Sequence, residues 1–385
     1  MSCIMRVSKD SMPAFSGFGI LQQALRGRRV LVTGHTGFKG GWLSLWLKLL
    51  GAEVCGVALP PQPGPSFHSA VRLNEFIDDR VGDIRSPTQF AASIAGIDAE
   101  LVIHMAAQAL VRKSYSDPVD TYLTNVVGTA VVLDAIKRMP SLQAAIIVTS
   151  DKCYENNEWV WGYRENDAMG GADPYSSSKG CTELVTAAYR RSYFSGPDSP
   201  NLSSVRAGNV FGGGDWATDR LIPDLVKATI TRVPVEIRNP SSIRPWQHVL
   251  EPLSGYLMLA ANLLSPNSPF AGAWNFGPTS EGVVDVRTLA RRFQQSWGPG
   301  GPEILWGSAE CGPHEAGILR LDSTKAQVQL GWRPRLFIDE AIDWTVEWYR
   351  AWAGRDTDLR RLSERQIQNY SERATMEARP NLTNN

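Results

Sequence analysis

Tyr175 and Lys179 are the two residues whose types and spacing most directly suggest chemistry in this 385-residue chain. They stand four positions apart, one helical turn, so both side chains would share one face of a helix. A free tyrosine, with a pKa near 10, is a poor base at neutral pH. A neighbouring ammonium stabilises the phenolate and lowers that pKa, so the pair would accept a proton from a sugar or steroid hydroxyl. The same spacing also occurs on ordinary amphipathic helices.

A second acid–base set, Ser150-Asp151-Lys152, precedes this pair by about twenty residues. It follows an apolar run at 144–149 that predicts a buried strand, and active sites of open α/β sheets lie at the carboxyl ends of strands. Ser-Asp sequences are also common in turns. Beside a Tyr/Lys pair, however, the hydroxyl, carboxyl and amine indicate a second set of proton donors and acceptors.

Three glycines, Gly34, Gly37 and Gly40, lie between a predicted strand at 30–33 and a predicted helix at 40–50. This spacing allows a tight turn, close approach of the backbone to a pyrophosphate, and an anion at the helix N-terminus. A glycine pattern alone is weak evidence, but its position between strand and helix indicates a dinucleotide loop. The loop residues expected to bind are Gly34, Thr36, Gly37, Phe38, Lys39 and Gly40.

The acidic residue that usually binds the adenosine ribose after the second strand is missing, since that position reads Val57-Ala58-Leu59-Pro60. No Arg or Lys occurs from 52 to 71 to bind a 2′-phosphate, although Lys39 offers a cation in the glycine loop. The pattern therefore favours NAD over NADP only weakly.

Repeated strand–helix units position these residues. Besides 30–33 and 144–149, strands are predicted at 54–58, 101–104 and 203–206, with helices at 117–139 and 175–191. Such alternation predicts an α/β fold, a Rossmann-type doubly wound parallel sheet with a smaller C-terminal α/β substrate domain. The expected divisions are an N-terminal extension at 1–27, an NAD-binding domain at 28–207 and a mainly substrate-binding domain at 208–355. Within the last, about 231–260 is expected to return to the first domain, and a helical, partly loose tail follows at 356–385.

Composition narrows the choice of partners. The chain has 39 basic and 39 acidic residues, whereas binders of nucleic acid or membrane surfaces normally carry a basic excess. No run approaches 18 apolar residues and no signal peptide is evident, so we expect no membrane association. Five scattered cysteines predict reduced thiols in a cytoplasmic protein. The five histidines show no ligand spacing, so no metal site is predicted.

Eight segments, in order, resemble the extended short-chain dehydrogenases/reductases that act on nucleotide sugars, and most closely the CDP-glucose 4,6-dehydratases. They are VTGHTGFKGGW at 32–42, HMAAQ at 104–108, SDKCY at 150–154, DPYSSSK at 173–179, RAGNV at 206–210, GGDW at 213–216, RPWQHV at 244–249 and LGW at 330–332. The lysine of Ser150-Asp151-Lys152 is the most discriminating feature, because relatives acting on dTDP- or GDP-sugars usually carry glutamate there.

The resemblance implies a lyase that converts CDP-D-glucose to CDP-4-keto-6-deoxy-D-glucose and water, with NAD as cofactor. Tyr175, primed by Lys179, would deprotonate the hydroxyl on carbon 4, with Ser150 as a second donor to that oxygen. Lys152 would remove the hydrogen on carbon 5, and Asp151 would protonate the hydroxyl that leaves carbon 6. The product would supply deoxy sugars of bacterial surface polysaccharides, such as the O-antigen.

The resemblance also implies further contacts and a homodimer or dimer-based oligomer. The remaining cofactor contacts would be Asp83, Ile84, Ala106, Ala107, Gln108 and Asn125, and the substrate contacts Asn209, Arg220, Arg244 and His248. Asp83 is alternatively a turn residue. His104, at the end of a predicted strand, is as compatible with a structural role as with a role in the site. Two other functions stay open: another nucleotide-sugar epimerase, decarboxylase or dehydratase, and a non-catalytic dinucleotide-binding protein.

Overall fold

A computed structural model describes residues 18–307, 317–355 and 358–376. Its strands are β1 (Arg29–Thr33), β2 (Glu53–Ala58), β3 (Asp78–Val81), β4 (Leu101–His104), β5 (Ala144–Val148), β6 (Asn201–Ala207), β7 (Asn209–Phe211), β8 (Val235–Ile237), β9 (Ile243–His248), β10 (Ala273–Phe276), β11 (Val283–Asp285) and β12 (Ile304–Trp306). Its α-helices are α1 (Phe18–Leu25), α2 (Phe38–Leu49), α3 (Phe67–Ala70), α4 (Pro87–Ser93), α5 (Val111–Ser116), α6 (Pro118–Tyr122), α7 (Gly128–Ile136), α8 (Pro174–Tyr193), α9 (Leu221–Thr231), α10 (Leu250–Leu263), α11 (Val286–Trp297), α12 (Ile338–Gly354) and α13 (Leu359–Met376).

Seven parallel strands form the main sheet in the order β10-β6-β5-β4-β1-β2-β3. The central strands are continuous apolar runs, buried on both faces because helices cover each side of the sheet. The predicted doubly wound α/β fold is therefore confirmed. The strand order reverses between β1 and β4, and ligands bind at such a switch point in open α/β sheets.

Two strands of this sheet, β3 at its edge and β10, were not predicted from the sequence, and β3 shows why. Its residues, Asp78-Asp79-Arg80-Val81, alternate neither in polarity nor in burial, so no strand periodicity is visible. Charged side chains are a usual protection of an exposed sheet edge against pairing with another chain. The strand is recognisable only from its pairing with β2, where Asp79 lies opposite Gly56.

The second half of the chain returns to the main sheet later than predicted. The expected return at about 231–260 contains β8 and β9, which instead belong to two small sheets, β12-β8 and β11-β9-β7. Helix α10 packs against β5 and β6, and β10 then pairs with β6 in parallel. The returning segment is thus about 250–276. Pro252 does not interrupt it, because this proline lies in the first turn of α10, where no intrahelical partner is needed for its missing N–H.

The helical tail packs firmly where it is described. In α13, Ile367 and Tyr370 are fully buried, and the Tyr370 ring meets Trp46 of α2 edge to face at 5.7 Å between centroids. Helix α1 of the N-terminal extension contacts α10 and α13 through Leu21 and Leu25. Helices α1 and α13 therefore pack on the same side of the core. The expected helical part of the tail is present at Leu359–Met376, and the part expected to be loose, near Pro380, lies outside the described residues.

Candidate active site

The glycine loop between β1 and α2 has the geometry of a phosphate cradle. Gly34 has φ +78°, and a Cβ there would lie 2.7 Å from the backbone nitrogen of Ala106, so only glycine fits. A Cβ on Gly40 would collide with the carbonyl of Gly34. The N-cap residue Gly37 has no side chain to occupy the first N–H groups of α2, which leaves them for an anion. These residues fit the pyrophosphate of a dinucleotide.

A cleft of about 660 Å³ runs from this loop across the carboxyl ends of the strands. Among the predicted cofactor contacts, it is lined by the six loop residues, by Asp83 and Ile84 after β3, and by Ala106, Ala107 and Gln108 after β4. The Asp83 carboxylate pairs with Arg85 at 2.7 Å, and this guanidinium holds the pKa of Asp83 below its ordinary value. Asp83 is therefore both a lining residue and a turn residue.

Asn125 does not line the cleft, which corrects its assignment as a direct cofactor contact. It is buried in a π-helical turn between α6 and α7, at residues 123–127. Its Oδ1 accepts from the Gln108 amide at 2.8 Å, and its Nδ2 donates to the Gln108 carbonyl at 3.0 Å and to Ser178 Oγ at 2.8 Å. Asn125 therefore positions the 106–108 loop against α8.

Lys39 lies beside the catalytic groups, which corrects the suggestion that it meets a 2′-phosphate. Its ammonium donates to the Tyr256 hydroxyl of α10 at 3.1 Å. Burial, with Lys179 and Arg220 nearby, lowers the pKa of Lys39 to about 7. The side chain turns inward because it belongs to the first turn of α2, on the side that faces α10. With Lys39 engaged there, the adenosine end of the cleft keeps no basic residue from 52 to 71, which is consistent with NAD.

Tyr175 and Lys179 occupy the first turns of α8 and line the cleft together. Asp173 caps this helix by accepting from the Ser176 amide at 2.9 Å, and Pro174 takes the first helical position. The Lys179 ammonium donates to the Val148 carbonyl at 3.3 Å. The predicted pairing on one helical face is thus present.

The electrostatics of this pair differ from the prediction. Burial raises the pKa of Tyr175 to about 12, although the Ser150 hydroxyl lowers it in part. Burial also lowers the pKa of Lys179 to about 8. Desolvation outweighs the favourable charges because both groups sit in a closed site. A depressed tyrosine pKa therefore requires an additional positive charge in the cleft, and an oxidised nicotinamide ring carries one.

Asp151 and Lys152 begin a short 3₁₀ turn, Asp151–Cys153, after β5, and Ser150 is its N-cap. All three residues line the cleft. Ser150 Oγ accepts from the Lys152 amide at 3.2 Å and donates to Asp151 Oδ1 at 2.9 Å. Asp151 Oδ2 is buried without a hydrogen-bond partner among the described residues. Burial raises the pKa of Asp151, so the carboxyl keeps its proton to higher pH. An acid of this kind is suited to donate a proton.

A buried ion pair beneath this turn was not predicted. Glu183 of α8 accepts two hydrogen bonds from Arg206 of β6, at 2.9 and 2.8 Å, and others from Thr149 and Ser204. It ties the strand that carries Ser150 to the helix that carries Tyr175. The available signal was an arginine within a predicted buried strand, since such a charge requires a buried partner.

The predicted substrate contacts Asn209, Arg220 and Arg244 line the far end of the cleft. Arg220 pairs with Asp215 at 3.0 Å, while Arg244 donates to the carbonyls of Ile243 and Gly317. Guanidinium groups suit diphosphate recognition. Further charged residues line this end and were missed, because they lie in short elements or loops without a recognisable motif. They include Arg112 of α5, Asp219, Glu236 of β8 and Arg238.

His248 is a core residue, and its assignment to substrate binding is wrong. It is fully buried, with its ring edge-on to those of Trp42, Phe211 and Trp344, and burial lowers its pKa to about 3. It does not line the cleft. The motif placed it at the end of β9, but its side chain points to the face of that strand opposite the ligand.

His104 also has a structural role. Its ring nitrogens bond Thr33 at 2.6 Å and Thr129 at 3.1 Å, joining β1 to α7 behind the glycine loop. Trp42 and Trp46 are likewise fully buried in the core.

Comparisons with known proteins agree with this geometry. A model of the NAD dependent epimerase/dehydratase family matches residues 30–271. The CDP-glucose 4,6-dehydratase of Salmonella typhimurium is 50% identical over 354 residues, which cover 91% of this chain and 98% of that protein.

Two solved structures share the fold at lower identity. The dTDP-glucose 4,6-dehydratase of Streptomyces venezuelae, with NAD bound, has a TM-score of 0.71 and 23% identity, covering 86% of this chain and 99% of that one. The UDP-glucose 4-epimerase of Thermotoga maritima has a TM-score of 0.71 and 22% identity, covering 84% and 98%. The glycine cradle, the Tyr/Lys helix and these matches place the chain in the NAD dependent epimerase/dehydratase family.

Proposed function

We propose that this enzyme is a CDP-glucose 4,6-dehydratase that converts CDP-D-glucose to CDP-4-keto-6-deoxy-D-glucose and water, with NAD retained as cofactor. The observation that carries the proposal is the Ser150-Asp151-Lys152 turn in the same cleft as Tyr175. An epimerase needs only the oxidation machinery, whereas loss of water needs a base for carbon 5 and an acid for carbon 6. The Salmonella relative, 50% identical along nearly its whole length, supports the same reaction and substrate.

Bound NAD, held by the glycine loop and the residues after β3 and β4, would supply the redox chemistry, which is hydride exchange first with carbon 4 and then with carbon 6 of the sugar. Tyr175 takes the proton from the carbon-4 hydroxyl as the carbonyl forms. The Ser150 hydroxyl lies within hydrogen-bonding reach of Tyr175 and lowers its pKa, so it can also hold the same substrate oxygen. Lys179, buried behind Tyr175, provides positive charge that favours the phenolate.

Elimination follows because the new carbonyl acidifies the hydrogen on carbon 5. Lys152 removes this proton in its neutral form, and Asp151 protonates the carbon-6 hydroxyl, which leaves as water. Hydroxide is a poor leaving group and must be protonated as it departs. The raised pKa of Asp151 keeps this carboxyl protonated, so that it can donate that proton. When carbon 6 is reduced, Lys152 returns the proton to carbon 5. The proton that Tyr175 took from the carbon-4 hydroxyl replaces the one that Asp151 gave to the leaving water, which balances the reaction.

The direct test is incubation of the purified protein with CDP-, dTDP-, GDP- and UDP-glucose. The proposal expects a 4-keto-6-deoxy product from CDP-glucose at the highest kcat/KM, without added reductant and without accumulation of NADH. Deuterium at carbon 4 should appear at carbon 6. A change of configuration at carbon 4 with carbon 6 intact would identify an epimerase, and steady production of NADH would identify a net dehydrogenase.

We also propose that two copies pair through an apolar face on α6, α7 and α8. The run Pro118–Ile136 is long and apolar enough to span a membrane by length and composition alone, with 39% of it buried in the fold. Its outer face exposes Val119, Leu123 and Val127, and Leu184 of α8 lies 60% exposed. Because this run also carries Asn125, which positions the 106–108 loop through its hydrogen bonds to Gln108, we infer that a second copy, and not lipid, covers it.

Light scattering on the purified protein tests this pairing. The protein should have the mass of a dimer or a multiple of it, and Leu123→Glu should produce a monomer that retains its fold. A monomeric wild-type protein, or one that co-sediments with lipid vesicles, would contradict the proposal.

We further propose that the enzyme is cytoplasmic, which the free thiols Cys55, Cys153 and Cys181 support. Its product would feed deoxy-sugar synthesis for surface polysaccharides.

A further inference from the structure

Three side chains from separate elements meet outside the active-site cleft, at the back of the glycine loop. His35 comes from that loop, His68 from α3 and Asp79 from the edge strand β3. His35 Nε2 lies 2.7 Å from Asp79 Oδ1, and His68 Nε2 lies 2.7 Å from Asp79 Oδ2. The donor atoms all fall within 4.8 Å of one another. The positions 35, 68 and 79 show no ligand spacing, which is why the sequence predicted no metal.

The surroundings hold this cluster in place. The His35 ring lies against Gly56 of β2, where a Cβ would collide with it. The His68 ring meets the His35 ring edge-on at 5.8 Å between centroids. His35 is fully buried and His68 nearly so, whereas the Asp79 side chain is 20% exposed. Asp79 borders a shallow cavity together with Thr36 and Leu59, which provides a path from solvent.

Hydrogen bonding alone leaves the cluster incomplete. If each histidine donates from Nε2 to the carboxylate, Nδ1 of His35 must be an acceptor. That atom is buried and has no hydrogen-bond partner among the described residues. The Val57 carbonyl, which also accepts from the neighbouring Gly34 amide at 2.9 Å, is a backbone acceptor for the His35 ring. A proton on Nδ1 would satisfy this carbonyl and leave the Nε2 lone pair free for a cation.

We propose that His35, His68 and Asp79 bind a divalent transition-metal ion of the zinc type. Two imidazole nitrogens and one carboxylate are a ligand set typical of zinc, and water entering past Asp79 would complete a tetrahedron. Imidazole ligands disfavour magnesium and calcium, which prefer oxygen. The Val57 carbonyl, bonded to the His35 Nδ1–H, would orient the ring from behind, as such second partners do in metal sites.

The ion would connect the glycine loop to the edge of the sheet. His35 directly follows Gly34, whose amide donates to the same Val57 carbonyl at 2.9 Å. Bound metal would therefore join the loop, α3 and β3 without touching the substrate groups. Its expected effect is stabilisation of the fold, since a ligand that binds only the native state raises its stability.

Titration with Co²⁺, followed by its visible absorption, tests the site, with Zn²⁺ added afterwards to displace it. Wild-type protein should bind one Co²⁺ with an intense tetrahedral spectrum lacking thiolate charge-transfer bands, and Zn²⁺ should raise its Tm. Asp79→Asn and His68→Ala should each weaken binding by at least about tenfold and abolish the rise in Tm. The matched control is Asp78→Asn, because this neighbour on β3 pairs with Arg80 and should leave binding unchanged.

Three results would overturn the proposal: no binding by wild-type protein, equal binding by Asp79→Asn, or a spectrum with thiolate bands. The cluster would then be a hydrogen-bonded His–Asp–His clamp. Circular dichroism of each metal-free variant shows whether it is folded. If His68→Ala fails to fold, His68→Gln replaces it, since glutamine still donates to Asp79 but is a poor zinc ligand. The measurement does not depend on enzymatic activity, so it stands independently of the proposed reaction.

Discussion

Two buried carboxyl groups on neighbouring elements, Glu183 and Asp151, have opposite environments. Burial alone would raise the pKa of Glu183, but Arg206, Thr149 and Ser204 together hold it below the ordinary value. Asp151 is equally buried, receives one hydrogen bond from Ser150 and keeps its other oxygen without a partner among the described residues. Its pKa is raised.

The difference separates architecture from chemistry. A buried charge that serves the fold is fully paired, because an unpaired one costs several kcal/mol. A group that must deliver a proton needs an oxygen that no neighbouring side chain already bonds. The fold therefore leaves this oxygen facing the cleft, at a cost in stability. Glu183 holds β6 and α8 in register, and Asp151 uses that rigid frame.

The largest expected effect on activity comes from removing Tyr175, the base that starts the oxidation. Tyr175→Phe should lower kcat/KM for CDP-glucose by at least about 10²- to 10⁴-fold, because the group that starts the oxidation is gone. Both reduction of bound NAD and release of product should fail. Tyr189→Phe is the matched control, since that tyrosine lies on the same helix, away from the cleft, and should retain activity. Comparable losses in both variants would contradict the assignment.

Next, Glu183→Gln should reduce stability by about 3–5 kcal/mol, because it leaves the Arg206 charge buried without its partner. Urea unfolding measures the change. Asp151→Asn should unfold close to the wild-type midpoint, since no ion pair is broken. If the two variants lost the same stability, the contrast between a structural and a chemical carboxyl would fail.

A third buried carboxyl, Glu251 on α10, connects the tail to the core and predicts a pH effect. It accepts from the amides of Arg335 and Leu336 and from the Tyr370 hydroxyl, at 2.8, 2.6 and 2.7 Å. Burial raises its pKa from 4.5 to about 7. A raised folded-state pKa favours folding at low pH, and this contribution is lost as pH rises from about 4.5 through about 7.

Between these pH values the wild-type protein should therefore lose up to about 3 kcal/mol relative to Glu251→Gln, which cannot titrate. Chemical unfolding at several pH values gives the comparison. Parallel pH profiles for the two proteins would show that Glu251 does not titrate in this range.

A smaller effect is expected at Ser150, which joins the two acid–base sets. Ser150→Ala removes the hydrogen bonds to Asp151 and Tyr175 and should lower kcat by roughly tenfold, about 1.4 kcal/mol. The Tyr175 pKa should rise, so the activity profile should shift to higher pH. Ser150→Thr should restore most of the activity because it keeps the hydroxyl. An unshifted profile would limit Ser150 to capping the turn.

The sequence predicted those parts of the molecule in which local pattern and tertiary structure agree. The buried strands β1, β4 and β5 are apolar runs. Tyr175 and Lys179 reach the cleft together because residues four positions apart lie on the same face of a helix, whatever that helix packs against. It failed where orientation depends on distant contacts. His248 and Asn125 were both placed near the ligand by motif, yet only packing against Trp42 and Gln108 decides where each side chain points. Lys39 does line the cleft, but its contact with Tyr256, and not the motif, decides at which end.

The cluster of His35, His68 and Asp79 was invisible for the same reason, since its members come from three elements. The pKa of Tyr175 was also misjudged, because the spacing of Tyr175 and Lys179 gives no measure of how completely both are buried. Charge patterns in sequence show which groups are available, and burial decides which protonation state they adopt.

The central claim is that Asp151 and Lys152 carry out dehydration while Tyr175 carries out oxidation. A single turnover of Asp151→Asn with CDP-glucose labelled with deuterium at carbon 4 tests it most directly, with Lys152→Ala in parallel. Each variant should form NADH on the enzyme at close to the wild-type rate yet release almost no 6-deoxy product. Normal release of product labelled at carbon 6, from either variant, would contradict the account and reduce Ser150-Asp151-Lys152 to a polar turn.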